Sequence, residues 1–222
     1  MTRLLIAVAL AGSGARTAPA LTWDDVVASY AAVRDYTCRY VKEEQAIDHG
    51  EPQTIQLSFR KPFDVRMEWL DDHGNVDQVA VYRRGMNDGK LIARRHGLLG
   101  SIVGTVRLDP RDRRALEDSR HPITEVGFGP IVDGVTRALQ DRTIDIARMD
   151  DVSEGRRFEL NVRPGASPLG VTGARRIVIV VGSPDRLPLS VELFDASGGR
   201  LERHRFSNVR VNVGLSDAVF TL

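Results

Sequence analysis

The stretch from Gln53 to Tyr82 sets the tightest limit on what this chain can fold into. Ile55, Leu57 and Phe59 alternate with Thr54, Gln56, Ser58 and Arg60. After a corner at Lys61-Pro62-Phe63, Phe63, Val65, Met67 and Trp69 alternate with Asp64, Arg66 and Glu68. Period-two alternation predicts strands that are apolar on one face and wet on the other. Proline has no backbone N–H for a sheet ladder, so Pro62 belongs at the break between the two strands. The large side chains then fall on one face of a sheet. Such a face either packs under a cover or lines a cavity, and function turns on which.

The rest of the chain extends this sheet. Thr22 followed by Asp24 and Asp25 predicts a capped helix start, and Val26, Val27, Tyr30 and Val33 carry an apolar face to about Asp35. Strands are expected at residues 36–47, 53–60, 63–69, 78–84 and 91–95, with Asn87-Asp88-Gly89 as a hairpin turn. Gly97 to Gly104 reads as a mobile loop or sheet edge, and 113–119 as a short helix. Ile131, Val132, Val135, Ala138 and Leu139 predict an amphipathic helix. Further strands are expected at 144–149, 156–163, 175–181, 189–195 and 201–213, separated by turns rich in Gly and Pro. No β-α-β alternation appears, so the sheet should be antiparallel throughout. About ten strands in one twisted sheet must curl. The predicted fold is mainly β: a strongly curved antiparallel sheet forming an incomplete barrel, with helices as a lid over an apolar cavity.

Composition narrows the function. Lys and Arg number 31 against 30 Asp and Glu, without the basic excess that nucleic-acid binding requires. A positive start at Arg3, an apolar run Leu4–Leu10 and Ala18-Pro19-Ala20 predict a signal peptide over residues 1–20. Residues 21–222 should then form one domain, periplasmic or secreted, with no membrane span in the mature chain. Cys38, the single cysteine, has no internal disulfide partner and reads as a small buried residue. The five histidines show neither H-x-H nor H-x-x-x-H spacing, so no metal site is expected. There is no phosphate-binding glycine loop and no nucleophile elbow. Neither a cofactor nor catalysis by Cys38, His121 or Glu125 is expected.

Several runs resemble known families. Leu187-Pro188-Leu189, Asp195 to Gly199, and Phe206-Ser207-Asn208-Val209 to Asn212 resemble the end of the bacterial periplasmic outer-membrane lipoprotein carriers, the LolA/LolB-like superfamily. The first helix and the Lys61-Pro62 corner followed by Trp69 are similar to the front half of those carriers. Tyr36-Thr37-Cys38 with Lys42-Glu43-Glu44, the run Lys61–Trp69, Gly85–Lys90 and Arg120–Gly129 look like an exported bacterial family of unassigned function.

The resemblance implies a half-barrel enclosing an acyl chain or lipoprotein. In the carriers an Arg before the corner Pro tethers the lid; here Lys61 holds that place, beside Arg60. The residues expected to bind the ligand are Leu57, Phe59, Phe63, Val65, Met67 and Trp69, with Arg60 and Lys61 at the lid or head group. The alternative is an envelope sensory or scaffolding domain that binds a protein partner through the same fold.

Overall fold

A computed structural model of the chain describes residues 21–45, 51–96 and 102–222. The expected signal peptide, the last residues of the expected first strand and most of the glycine-rich stretch 97–104 lie outside them.

Eleven strands form one sheet among the described residues. They are β1 (Asp35–Glu44), β2 (Gln53–Arg60), β3 (Asp64–Leu70), β4 (Val76–Arg83), β5 (Leu91–His96), β6 (Ile102–Leu108), β7 (Ile144–Val152), β8 (Gly155–Val162), β9 (Arg176–Gly182), β10 (Pro188–Phe194) and β11 (Arg200–Val211). Their order is β6-β5-β4-β3-β2-β1-β11-β10-β9-β8-β7, a curved open sheet in which every pairing is antiparallel. Two meanders, β1–β6 and β7–β11, therefore meet at a single seam between β1 and β11. The predicted corner is real: β2 and β3 pair from Arg60↔Asp64 outward, and Leu57↔Met67 and Phe59↔Val65 face each other across them.

Among the described residues two α-helices cross the sheet: α1 (Trp23–Ala32) and α2 (Phe128–Gln140). Thr22 and Asp25 close the expected capping box at the start of α1. Trp23 packs edge-on against Phe158 and donates its indole N–H to Thr136 Oγ1 at 3.0 Å, which joins α1 to α2. Val132, Val135 and Ala138 of α2 pack with Phe158, Leu160, Ile177, Ile179, Val191 and Leu193, filling the inner face of the β7–β11 half.

One expectation needs correction. Residues 113–119 form successive turns rather than a helix: Ala115 N–H bonds to Asp112, and Ser119 N–H to Leu116. The Asp112 carboxylate draws off the Arg114 N–H, a local competitor of helical bonding. Of the two readings for the glycine-rich stretch, the sheet edge is the one seen from residue 102 on, where β6 pairs with β5 across one register irregularity.

The start of α2 is fixed by one close approach. Tyr36, fully buried on β1, accepts the Phe128 N–H on its hydroxyl at 3.1 Å and stacks on Phe59 and Phe128. Gly127 lies over that hydroxyl with φ of +94°, and a Cβ there would collide with it. Gly127→Ala should therefore lower stability by about 2–4 kcal/mol, through left-handed strain plus the clash. Urea unfolding checks this, and a change within about 0.5 kcal/mol would contradict the docking described.

Candidate functional site

The two halves of the sheet are filled differently. Helix α2 packs on β7–β10, and a cleft of about 1460 Å³ runs between α2 and the sheet, lined by Met67, Ala80, Ala93 and Val106 of β3–β6 and reaching Val191 and Leu193 of β10. Register explains the hollow. Met67 pairs with Ala80, Ala80 with Ala93, and Ala93 with Val106, so one row across four strands drops from a long side chain to two alanines. Phe59, Phe63 and Trp69 stand beside the row, Phe63 meeting Phe59 and Tyr82 edge-on.

Of the residues expected at a ligand site, Phe59, Phe63, Met67 and Trp69 line this cleft. Leu57 and Val65 are fully buried within the core and are not part of its wall. Arg60 is turned to the outer face: it pairs with Asp64 and Asp217, donates to the Leu215 carbonyl and lies over the Phe220 ring. The expectation that Arg60 contacts a lid or head group is thus corrected. Strand alternation puts it opposite Phe59, where it holds the carboxy-terminal segment against the sheet.

Lys61 makes the helix contact. Its ammonium donates to the Tyr30 and Ala31 carbonyls at 2.7 and 3.1 Å and lies 4.3 Å from the centre of the Tyr30 ring. These are end carbonyls of α1, the negative pole of the helix, where a cation is favoured; the Tyr30 carbonyl also accepts the Val33 N–H. Burial lowers the Lys61 pKa, an effect that Asp133 opposes. A lysine thus ties the corner to the helix with two bonds from one rotating ammonium, where a planar fork is not needed.

The cleft has a polar end that sequence reasoning missed. Along the inner face of β1, Tyr36, Cys38 and Tyr40 give way to Lys42 and Glu44. Across the seam Lys42 pairs with His204 and Glu44 with Glu202. The loop from Asp109 to Pro122 straps this end: Asp118 O accepts from Lys42 Nζ at 2.9 Å and Gln53 Nε2 at 3.0 Å, and Glu44 accepts the Arg120 N–H at 2.7 Å. The strap brings in His121, whose Nε2 lies 2.9 Å from Glu202 Oε2. His204 Nε2 lies 3.2 Å from the same oxygen. Burial disfavours the Glu202 carboxylate, but both imidazoles favour it and the net pKa falls to about 2. Burial lowers the His121 pKa, but Glu202, Glu44 and Glu125 together outweigh it and the net direction is up. Glu-x-His on a strand, with both residues on one face, was the available signal.

Residues 33–222 match the family described as "Protein of unknown function (DUF1571)", and the chain belongs to that family. No curated protein matches it in sequence. Among solved structures, it is similar to an uncharacterized conserved protein from Thermus thermophilus (10% identity, TM-score 0.50, covering 89% of this chain and 91% of that one). MucB is also similar (17% identity, TM-score 0.50), but the match covers 90% of this chain and only 61% of MucB. The MucA/MucB complex from Pseudomonas aeruginosa gives 16% identity and a TM-score of 0.49, covering 90% of this chain and 59% of that one. A putative outer membrane lipoprotein-sorting protein domain from Vibrio parahaemolyticus is a looser likeness, at 10% identity and a TM-score of 0.42 over 89% of this chain and 94% of that one. No helix among the described residues is long and apolar enough to cross a membrane.

Lys61→Met should cost about 1–2 kcal/mol in urea unfolding, since it leaves two helix-end carbonyls without their cation. An unchanged midpoint would show that the latch is dispensable. Cys38 is fully buried, and burial pushes its thiol up to about 12. It should resist alkylation at pH 8 in the native protein and react stoichiometrically once unfolded. Rapid native labelling, followed by mass spectrometry, would contradict this.

Proposed function

We propose that the chain is a non-enzymatic periplasmic binding protein that holds the acyl chain of a lipid or lipoprotein in this cleft. The observation that carries the reading is the hollow row Met67, Ala80, Ala93 and Val106, flanked by Phe59, Phe63 and Trp69. Small-molecule pockets commonly measure about 300–1,000 Å³, and this cleft is larger. Each methylene moved from water onto such a wall contributes about 0.8 kcal/mol, with no directional bond needed. Methionine and aromatic side chains accommodate a flexible chain without imposing one shape. The strap and the polar end give a charged or hydrated head group somewhere to lie while the chain is held inside.

A second reading is an envelope sensory or scaffolding domain that binds a protein partner. What favours it is the sheet's two outer strands, β6 and β7, each paired on one side only among the described residues. Such edges accept an added strand.

Native mass spectrometry of gently purified protein should show bound lipid, and the delipidated protein should take up a fluorescent fatty acyl probe. Trp69→Ala and Val106→Glu should each weaken uptake by about tenfold or more, whereas Ser58→Ala, on the outer face, should not. Val106 is 46% exposed, so its substitution tests the wall without breaking the core. Finding neither lipid nor probe uptake would sink the carrier reading. A protein retained from envelope extract by the Val106→Glu variant as well would favour the second.

A further inference from the structure

At the polar end of the cleft, two imidazoles and a carboxylate converge on one point. His121, Glu202 and His204 each offer a ligand atom, and the three atoms lie within 4.8 Å of one another. Glu202 is 1% exposed, yet its Oε2 faces His121 Nε2 at 2.9 Å and His204 Nε2 at 3.2 Å. Ligands held about 2.0–2.1 Å from a tetrahedral ion lie about 3.3 Å apart, close to the two oxygen–nitrogen separations.

The groups behind the three are placed as supports. His204 Nδ1 lies 2.8 Å from the Tyr40 hydroxyl, which accepts its proton in the tautomer that leaves Nε2 free. His121 Nδ1 lies 3.6 Å from the Glu125 carboxylate. Glu202 Oε1 lies 3.0 Å from Arg120 Nε, leaving Oε2 turned towards the rings. Ligating histidines ordinarily have their second nitrogen held this way, by a carboxylate or another oxygen.

We propose that His121 Nε2, Glu202 Oε2 and His204 Nε2 bind a divalent transition-metal cation, with zinc the best match to a nitrogen and oxygen donor set. All three residues line the cleft, so the coordination position they leave open faces its interior. Water or an anionic group of a cleft ligand would take that position. Two histidines and one glutamate, with a fourth place open, form a set that zinc uses where it must meet an exchangeable ligand. A buried carboxylate facing two imidazole nitrogens at one oxygen calls for positive charge at that point. The inference does not depend on what the cleft carries, because metal binding and acyl uptake have separate readouts.

The test uses the purified protein, stripped with a chelator and titrated with Co²⁺ as the spectroscopic probe. One equivalent should bind with the visible absorption of four- or five-coordinate cobalt, and Zn²⁺ should displace it. His121→Gln and His204→Gln should each weaken binding by about 100-fold or more, and Tyr40→Phe by about tenfold. His73→Gln, in an exposed turn, should bind as the unaltered protein does. Bound metal should also raise the thermal midpoint of the unaltered protein, while the double variant His121→Gln/His204→Gln should show no such rise. The proposal is overturned if the unaltered protein develops no such absorption. It is equally overturned if the double variant, folded by circular dichroism, binds Co²⁺ as well as the unaltered protein.

Discussion

The architecture depends on the seam between β1 and β11. Every other neighbouring pair in the sheet belongs to one of two meanders, and this one pairing makes a single sheet of them. Its register runs from Tyr36↔Val211 to Glu44↔Glu202, with one irregularity between Thr37 and Arg39. Charge reinforces it on the outer face, where the buried Glu43 accepts from Arg200 and Arg205, at 2.9 and 3.2 Å. The chain crossing at one end of the seam is tied as well: Asn212 accepts the Arg34 N–H, and the Asp35 carboxylate accepts the Gly214 N–H. The two inner cores remain distinct, with Tyr30 and Ile131 of the helices touching both.

That division explains where the cleft lies. On the β7–β11 side the helices supply the side chains that fill the concave face. On the β3–β6 side, small residues in register leave the concavity open, and the convex face is covered instead, with Phe220 packed on Val79 and Val81. Strand β4 is therefore buried on both faces at Val79, Ala80 and Val81. It can carry an alanine towards the cleft because its outer valines already anchor it. Lys61 and Tyr36 hold α1 and the start of α2 across this arrangement, one by charge at a helix end and the other by a buried hydroxyl.

Much of the fold is legible in the sequence because alternation is a local signal. The corner at Pro62, the Thr22 cap and the apolar face of α2 need only neighbouring residues to be recognised. What escapes such reading depends on residues brought together from afar. Ala80 and Ala93 look like gaps in a strand pattern and become a cavity wall only once the register aligns them. His121 reaches Glu202 and His204 through a strap whose turns follow from Asp112 competing for backbone N–H groups, so no spacing rule links them. Arg60 reads as a cleft residue only because it adjoins Lys61. A strand turns adjacent residues to opposite faces, and the two cations serve different sides of the sheet.

The seam also bears on how the molecule assembles. Strand β1 finds one neighbour, β2, across a short connection, but its other neighbour is β11, residues 200–211, the last strand of the second meander. Closing so large a loop costs entropy before any contact is gained, and chains dominated by such pairings fold slowly. Each meander can zip locally, but the inner face of β1, with Tyr36, Cys38 and Tyr40, stays uncovered until Phe206 and the helices arrive. The inner face of β1 is thus among the last surfaces to be covered, and until the seam closes its aromatic side chains are themselves in need of cover.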